Sequence, residues 1–166
     1  MKKMPIVRSK KELQVFLNDK LIKAMNKVGE TALKHMVEYV DKKMQERVSD
    51  QSGLYDRTYE YLQSIEKINA KLDNLTGIVS VVIHYNTDKI HPYIIMDETG
   101  LWNKHADMDG NSVANLIPLF LEMGTENNPY YEHEPVGGII DLKKWVEDNF
   151  RKELKTELNK IGIKTK

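Results

Sequence analysis

The sequence predicts an α+β chain, with a long N-terminal helix and a C-terminal helix packed on a small antiparallel β-sheet. Three patterns predict it. Apolar residues recur every three or four positions from Leu13 to Met44, a β-branched run fills Ile78 to Tyr85 behind a turn, and a second helical stripe runs from Trp145 to Leu158. A chain of 166 residues can build one core and is short for two. It therefore reads as a single domain over 1–166, with 1–9 and 161–166 as flexible ends.

The first element opens at Ser9-Lys10-Lys11-Glu12, a capping box in which Ser and Glu satisfy amides at a helix start. The stripe Leu13, Leu17, Leu21, Met25, Val28, Ala32, Met36, Val40, Met44 then predicts a helix from about Lys10 to about Arg47. At 1.5 Å per residue it spans about 55 Å, against about 30 Å for a small domain. Part of it is expected to protrude or to pack on a neighbour. Gly29 is its weak point and a site for a bend.

Ser49 to Gly53 read as a loop. Ile65 to Ala70 read as a strand with mixed faces, Leu72 to Gly77 as a turn, and Ile78 to Tyr85 as the partner strand of a hairpin with one buried face. A short strand is expected at Tyr93 to Met96. Asn111 to Met123 read as a short apolar helix interrupted or begun at Pro118. Asp141 opens the last helix, which continues through Val146, Phe150 and Leu154 and stops at Gly162. A sheet this small has open edges, and an uncovered edge strand tends to find another chain.

Composition removes several functions. Lys plus Arg and Asp plus Glu both total 25, so no net field draws the chain toward nucleic acid or acidic membrane. The absence of Cys excludes disulfides, thiolate nucleophiles and Cys-based zinc sites. No window approaches the ~18 apolar residues of a membrane span, and the basic start MKKMPIVRSKKEL has no apolar core of a signal peptide. The expectation is a soluble, intracellular chain with no membrane contact and no cofactor.

The candidate sites are weak as chemistry. His84, His91, His105 and His133 lie among Asp97, Glu98, Asp107, Asp109 and Glu132, yet at no spacing typical of a metal motif. DMDGN places Gly110 too early for a calcium loop and no Glu closes it. Ser64 has no indicated base, and Gly137-Gly138 lacks the Lys-Ser/Thr of a phosphate loop, so a flexible bend is the better reading. Tyr55, Tyr59 and Tyr61 beside Arg57 have the chemistry to stack on bases, but Asp56 and Glu60 interleave with them. They read as an aromatic cluster closing the helix onto the hairpin. Glu122 stands apart: an acid at the edge of an apolar helix needs a partner or water. It is followed by Gly124, where a positive φ ends the helix cheaply, and by an Asn-Asn-Pro turn.

Two segments carry a resemblance. Tyr55 to Ile65 ahead of the hairpin, and Leu121-Glu122-Met123-Gly124-Thr125 ahead of a Pro, resemble the tail-component family of tailed bacteriophages, neck and tail-completion proteins of the head–tail junction. That family's pattern is a long N-terminal helix, a T-x-x-L-x-x-S-I run into a hairpin, an E-x-G-T turn and a C-terminal helix. Here Thr58, Leu62 (one place late), Ser64 and Ile65 match the first run, and Glu122, Gly124 and Thr125 match the turn. Tyr59 departs from it, standing where a Gly is common. Ile90 to Ser112 is longer than a minimal member needs, and YYEHEPVGG replaces an apolar stretch.

The resemblance implies a non-enzymatic virion protein made in the host cytoplasm. It implies a homo-oligomeric ring that meets portal or adaptor proteins on one side and tail terminator or tail-tube proteins on the other. DNA would pass through the ring without sequence-specific binding. It implies no catalytic residues; Thr58, Leu62, Ser64, Ile65, Glu122, Gly124 and Thr125 become candidates for structural or interface roles. The alternatives are a tail terminator or other minor tail protein and, in another class, a small metal-dependent hydrolase using His84, His91 or His133 with a carboxylate.

Overall fold

The computed structural model describes residues 9–47, 60–90, 93–97, 100–104, 116–124 and 134–165. The fold is α+β. Helix α1 (Lys10–Arg47) leads to a single-turn helix α2 (Glu60–Ser64), the strands β1 (Ile65–Leu72) and β2 (Val79–Tyr85), and a 3-10 turn at Thr87–Lys89. Strands β3 (Tyr93–Asp97) and β4 (Gly100–Lys104) follow, then α3 (Ile117–Met123) and α4 (Gly138–Lys160).

Helix α1 is continuous over 38 residues, and the Ser9 hydroxyl accepts from the Glu12 amide at 3.1 Å, as a capping box requires. The predicted stripe is buried from Ala24 through Met25, Val28, Ala32, Met36 and Val40 to Met44, but Leu13 and Leu17 remain 45 % and 42 % exposed. The cause is the length of α4. It runs antiparallel along α1, with Asp141 beside His35 at 2.6 Å and Lys20 donating to the Ile161 carbonyl at 3.1 Å. The first turns of α1 therefore extend past the end of α4.

The hairpin pairs β1 with β2 antiparallel, Ile65 opposite Tyr85 and Leu72 opposite Val79. Its turn is held by Asp73, whose side chain accepts from the Leu75 amide at 2.8 Å, and by Gly77 at φ 70°. A bulge between Ile68 and Lys71 frees the Ala70 amide, which donates to Asn26 of α1 at 2.8 Å. Gly29 has a packing reason. The helix is continuous through it, and a Cβ there would stand 2.7 Å from Val81 Cγ2 and 2.9 Å from Lys67 Cδ, so glycine lets the hairpin lie against the helix.

Three elements escaped or shifted. The five residues of α2 are too few to show a period. Strand β3 falls where expected, but its partner β4, Gly-Leu-Trp-Asn-Lys, carries little β-branched signal. Helix α4 begins at Gly138, three positions before Asp141. Pro118 sits in the first turn of α3, where its missing N–H costs nothing.

Candidate functional site

The core joins Met36, Val40 and Met44 of α1 to Tyr61, Ile65, Ile90, Leu121 and Val136. Around it, four elements meet through one chain of hydrogen bonds. The Tyr61 hydroxyl donates to the Tyr85 hydroxyl at 2.7 Å, their rings stacked with centroids 5.0 Å apart. Tyr85 in turn donates to Glu122 Oε1 at 2.5 Å. The other carboxylate oxygen, Oε2, accepts from the Ile139 amide at 3.0 Å, in the first turn of α4.

Glu122 is thus a helix N-cap supplied from another element. The amide end of α4 has an orphan donor and a positive dipole, and both favour an anion there. Gly137, the residue at the cap position of α4, has no side chain to offer, and no side-chain cap bond forms from it. The α3–α4 junction is closed a second time where the Val136 amide donates to the Leu121 carbonyl at 2.7 Å. Gly138 then fits because it lacks a Cβ, which would meet Val40 Cγ2 at 2.5 Å, Glu122 Oε1 at 2.9 Å and the Tyr85 hydroxyl at 3.1 Å. Gly138 is therefore a close-contact point, which the flexible-bend reading of Gly137-Gly138 did not foresee, whereas Gly137 has open space around it and a left-handed φ of 70°.

Burial holds both phenols protonated. Tyr85 is raised well above its ordinary value by desolvation first, then by Tyr61 and the bond to Glu122. Tyr61 is raised chiefly by desolvation. Both phenols act as donors in a chain that ends on a carboxylate, and each bond polarises the next. The arrangement holds a shape: both oxygens of Glu122 are engaged by the chain's own donors.

The other predicted residues divide clearly. Ser64 is fully buried, its hydroxyl donating to the Tyr61 carbonyl at 2.6 Å, while its own carbonyl accepts from the Asn86 amide at 2.6 Å. Ile65 is in the core and Leu62 packs against it. These three serve the interior of the chain, a structural role. Gly124 caps α3 at φ 76° and ψ 170°, a region that essentially only glycine visits. Thr58 and Thr125 lie outside the described residues, as do Tyr55, Arg57, Tyr59, His91, His105 and His133. Of the histidines proposed as ligands, His84 is described, on β2 opposite Glu66, and its Nδ1 lies 3.3 Å from the Tyr85 carbonyl. Among the described residues no group of three His, Asp or Glu is placed to hold a metal ion.

Sequence reasoning missed Tyr85 and Gly138 as partners of Glu122. It also missed the latch between α1 and α4, where His35 contacts Asp141 and stacks on Trp145 with centroids 5.5 Å apart. His35 lies three positions after Ala32 and seven after Val28 of the apolar stripe, so the helical period could have flagged a ring facing the next element. Comparison with protein-family models, curated proteins and solved structures found no match. Among the described residues no helix is long and apolar enough to cross a membrane.

Proposed function

We propose that this chain is a non-enzymatic structural protein of a tailed-bacteriophage virion, a ring subunit at the head–tail junction that joins head to tail. One observation carries the reading: the described residues of the two short motifs behind the resemblance belong to one joint. Ser64 and Ile65 close the α2–β1 corner under Tyr61, and Tyr61 reaches Glu122 of the second motif through Tyr85. Glu122 then fixes the start of α4. Residues spent on clamping elements together suit a part that transmits position and force. The first turns of α1, extending past α4 with exposed leucines, supply surface for a neighbour.

The test is location and phenotype. Electron microscopy of particles carrying a labelled copy is expected to show the label at the neck. Loss of the protein is expected to leave filled heads and separate tails, restored by the wild-type copy. Label at the far side of the tail tube, or joined particles without the protein, would overturn the neck assignment. Stoichiometric zinc or manganese in the purified protein would favour the hydrolase class instead.

A further inference from the structure

The start of α1 and the finish of α4 come to one end of the molecule. Lys20 donates to the Ile161 carbonyl at 3.1 Å, and His35 meets Asp141 at 2.6 Å further along the same two helices. Lys27 lies between those contacts, close enough to Glu157 to feel its charge.

Charge is not balanced at that end. Residues 10–27 carry five Lys against Glu12 and Asp19, and residues 151–165 carry Arg151 and four Lys against Glu153 and Glu157. The eight residues before Ser9 add Lys2, Lys3 and Arg8 with no acid. Basic and acidic residues total 25 each, so the remainder of the sequence is acid-rich and the chain is neutral only as a whole. A zero total cancels the field at a distance. A surface in contact senses charge within about 8 Å at physiological salt, so the local excess governs what binds there.

Three of the cations are engaged within the chain: Lys20 with Ile161, Lys27 with Glu30 at 2.6 Å, and Lys160 with Glu157 at 2.6 Å. Others are free. The side chains of Lys10, Lys11 and Lys23 on α1, and of Arg151, Lys152 and Lys155 on α4, are exposed and form no ion pair or hydrogen bond among the described residues. Glu147 and Asp148 stand one turn from Arg151 and Lys152 without closing an ion pair on them. From Lys10 to Lys23 is about 20 Å along the helix. A nucleic-acid duplex presents one phosphate charge per about 1.7 Å of its axis, a continuous row of partners for such a strip. From Arg151 onward no large apolar side chain among the described residues is exposed, so the α4 half has nothing to bury in lipid. Phosphates of a water-soluble polymer suit both helices, whereas a lipid surface suits α1 alone, through Leu13 and Leu17.

We propose that this end binds the phosphate backbone of nucleic acid, without reading sequence, through the free cations of α1 and α4. Release of condensed counterions drives such binding and makes it salt-dependent.

The purified full chain is titrated by fluorescence anisotropy against two short labelled DNA duplexes of unrelated sequence, over a range of salt. Both should bind alike, and log K should fall against log salt with a slope of about −3 to −5, since each phosphate contact contributes about −0.9. Lys10→Gln, Lys11→Gln and Lys23→Gln together should make the slope shallower by about 2–3, and so should Arg151→Gln, Lys152→Gln and Lys155→Gln together. Either set suffices if circular dichroism shows that the other folds poorly. Lys34→Gln, Lys42→Gln and Lys143→Gln, which remove the same charge from exposed positions elsewhere, should leave the slope in place. No binding at low salt, or a control that flattens the slope as much as the two sets do, overturns the proposal. Tighter binding to phosphatidylserine vesicles than to DNA would assign the end to a membrane. Salt-sensitive self-association without DNA binding, abolished by the same sets, would assign it to the acid-rich part of another copy. Either result overturns the nucleic-acid assignment. Label at the neck with no DNA binding would retain the location and reject this surface; DNA binding without neck label would do the reverse.

Discussion

At the scale of single residues, Glu122 serves two elements through two oxygens, Tyr85 of β2 on one and the Ile139 amide on the other. Glutamine keeps the shape but offers one acceptor, so its NH₂ must face either the amide or the phenol. Glu122→Gln is expected to lower stability by about 1–3 kcal/mol, the range for losing a charge-assisted bond with a donor left unpaired. Thermal unfolding of the variant measures this, and an unchanged midpoint would remove the joint reading. Gly124 gives a sharper case. Its φ of 76° with ψ of 170° lies outside the left-handed helical region that Asn tolerates, so Gly124→Val and Gly124→Asn should both lose about 1–3 kcal/mol. If Asn rescued where Val failed, the helix stop would be of the ordinary left-handed kind. The raised phenols also fix a pH dependence. A folded value above the ordinary one of about 10 means stability is complete below that pH and is lost as pH climbs toward the folded value. Ultraviolet titration should show Tyr61 and Tyr85 ionising only as the chain unfolds, and the late component should vanish in the double Phe variant. The charge of Glu122 and the stop at Gly124 were legible in the sequence, because both follow from local chemistry. Tyr85 was not, since it lies 37 positions away and becomes a partner only once the hairpin docks.

At the scale of elements, periodicity settled the two long helices and the hairpin, since each repeats its signal over several turns or residue pairs. It misread why glycines stand where they do. A sequence shows that Gly29 weakens a helix by about 1 kcal/mol relative to Ala, but not that Val81 occupies the space a Cβ would need. The two effects oppose one another, and the structure decides between them. Gly29→Ala gains helix propensity and forces the stiff Val81 side chain or the hairpin away, an overpacking that costs about 1–3 kcal/mol. Net destabilisation is expected, read as a lower midpoint in chemical denaturation. A more stable Gly29→Ala protein would show that α1 and the hairpin have slack between them. The Asn26 side chain filling the β1 bulge belongs to the same account: one helix face is shaped, position by position, to the hairpin it carries.

At the scale of the whole molecule, the question is whether a ring subunit of this kind should assemble on its own. The large apolar side chains exposed among the described residues are spread over several elements, fewer on any one than the ~20–30 residues a side typical of a stable interface. The long-range field adds little, because positive and negative charges balance at 25 each. A ring contact of modest area is strong only when several close together or when a partner holds the copies in register, which turns each later contact into an intramolecular one. At micromolar concentration the purified protein is therefore expected to be monomeric or weakly associated, with contacts that a cross-linker captures but a dilution does not preserve. Mass photometry and sedimentation measure this directly. Assembly should become stable only on a template such as a purified head connector. A closed ring as the sole species of the isolated protein would show that the subunit contact is far larger than these exposed apolar side chains supply, and that order of assembly must be controlled by something other than weak self-affinity.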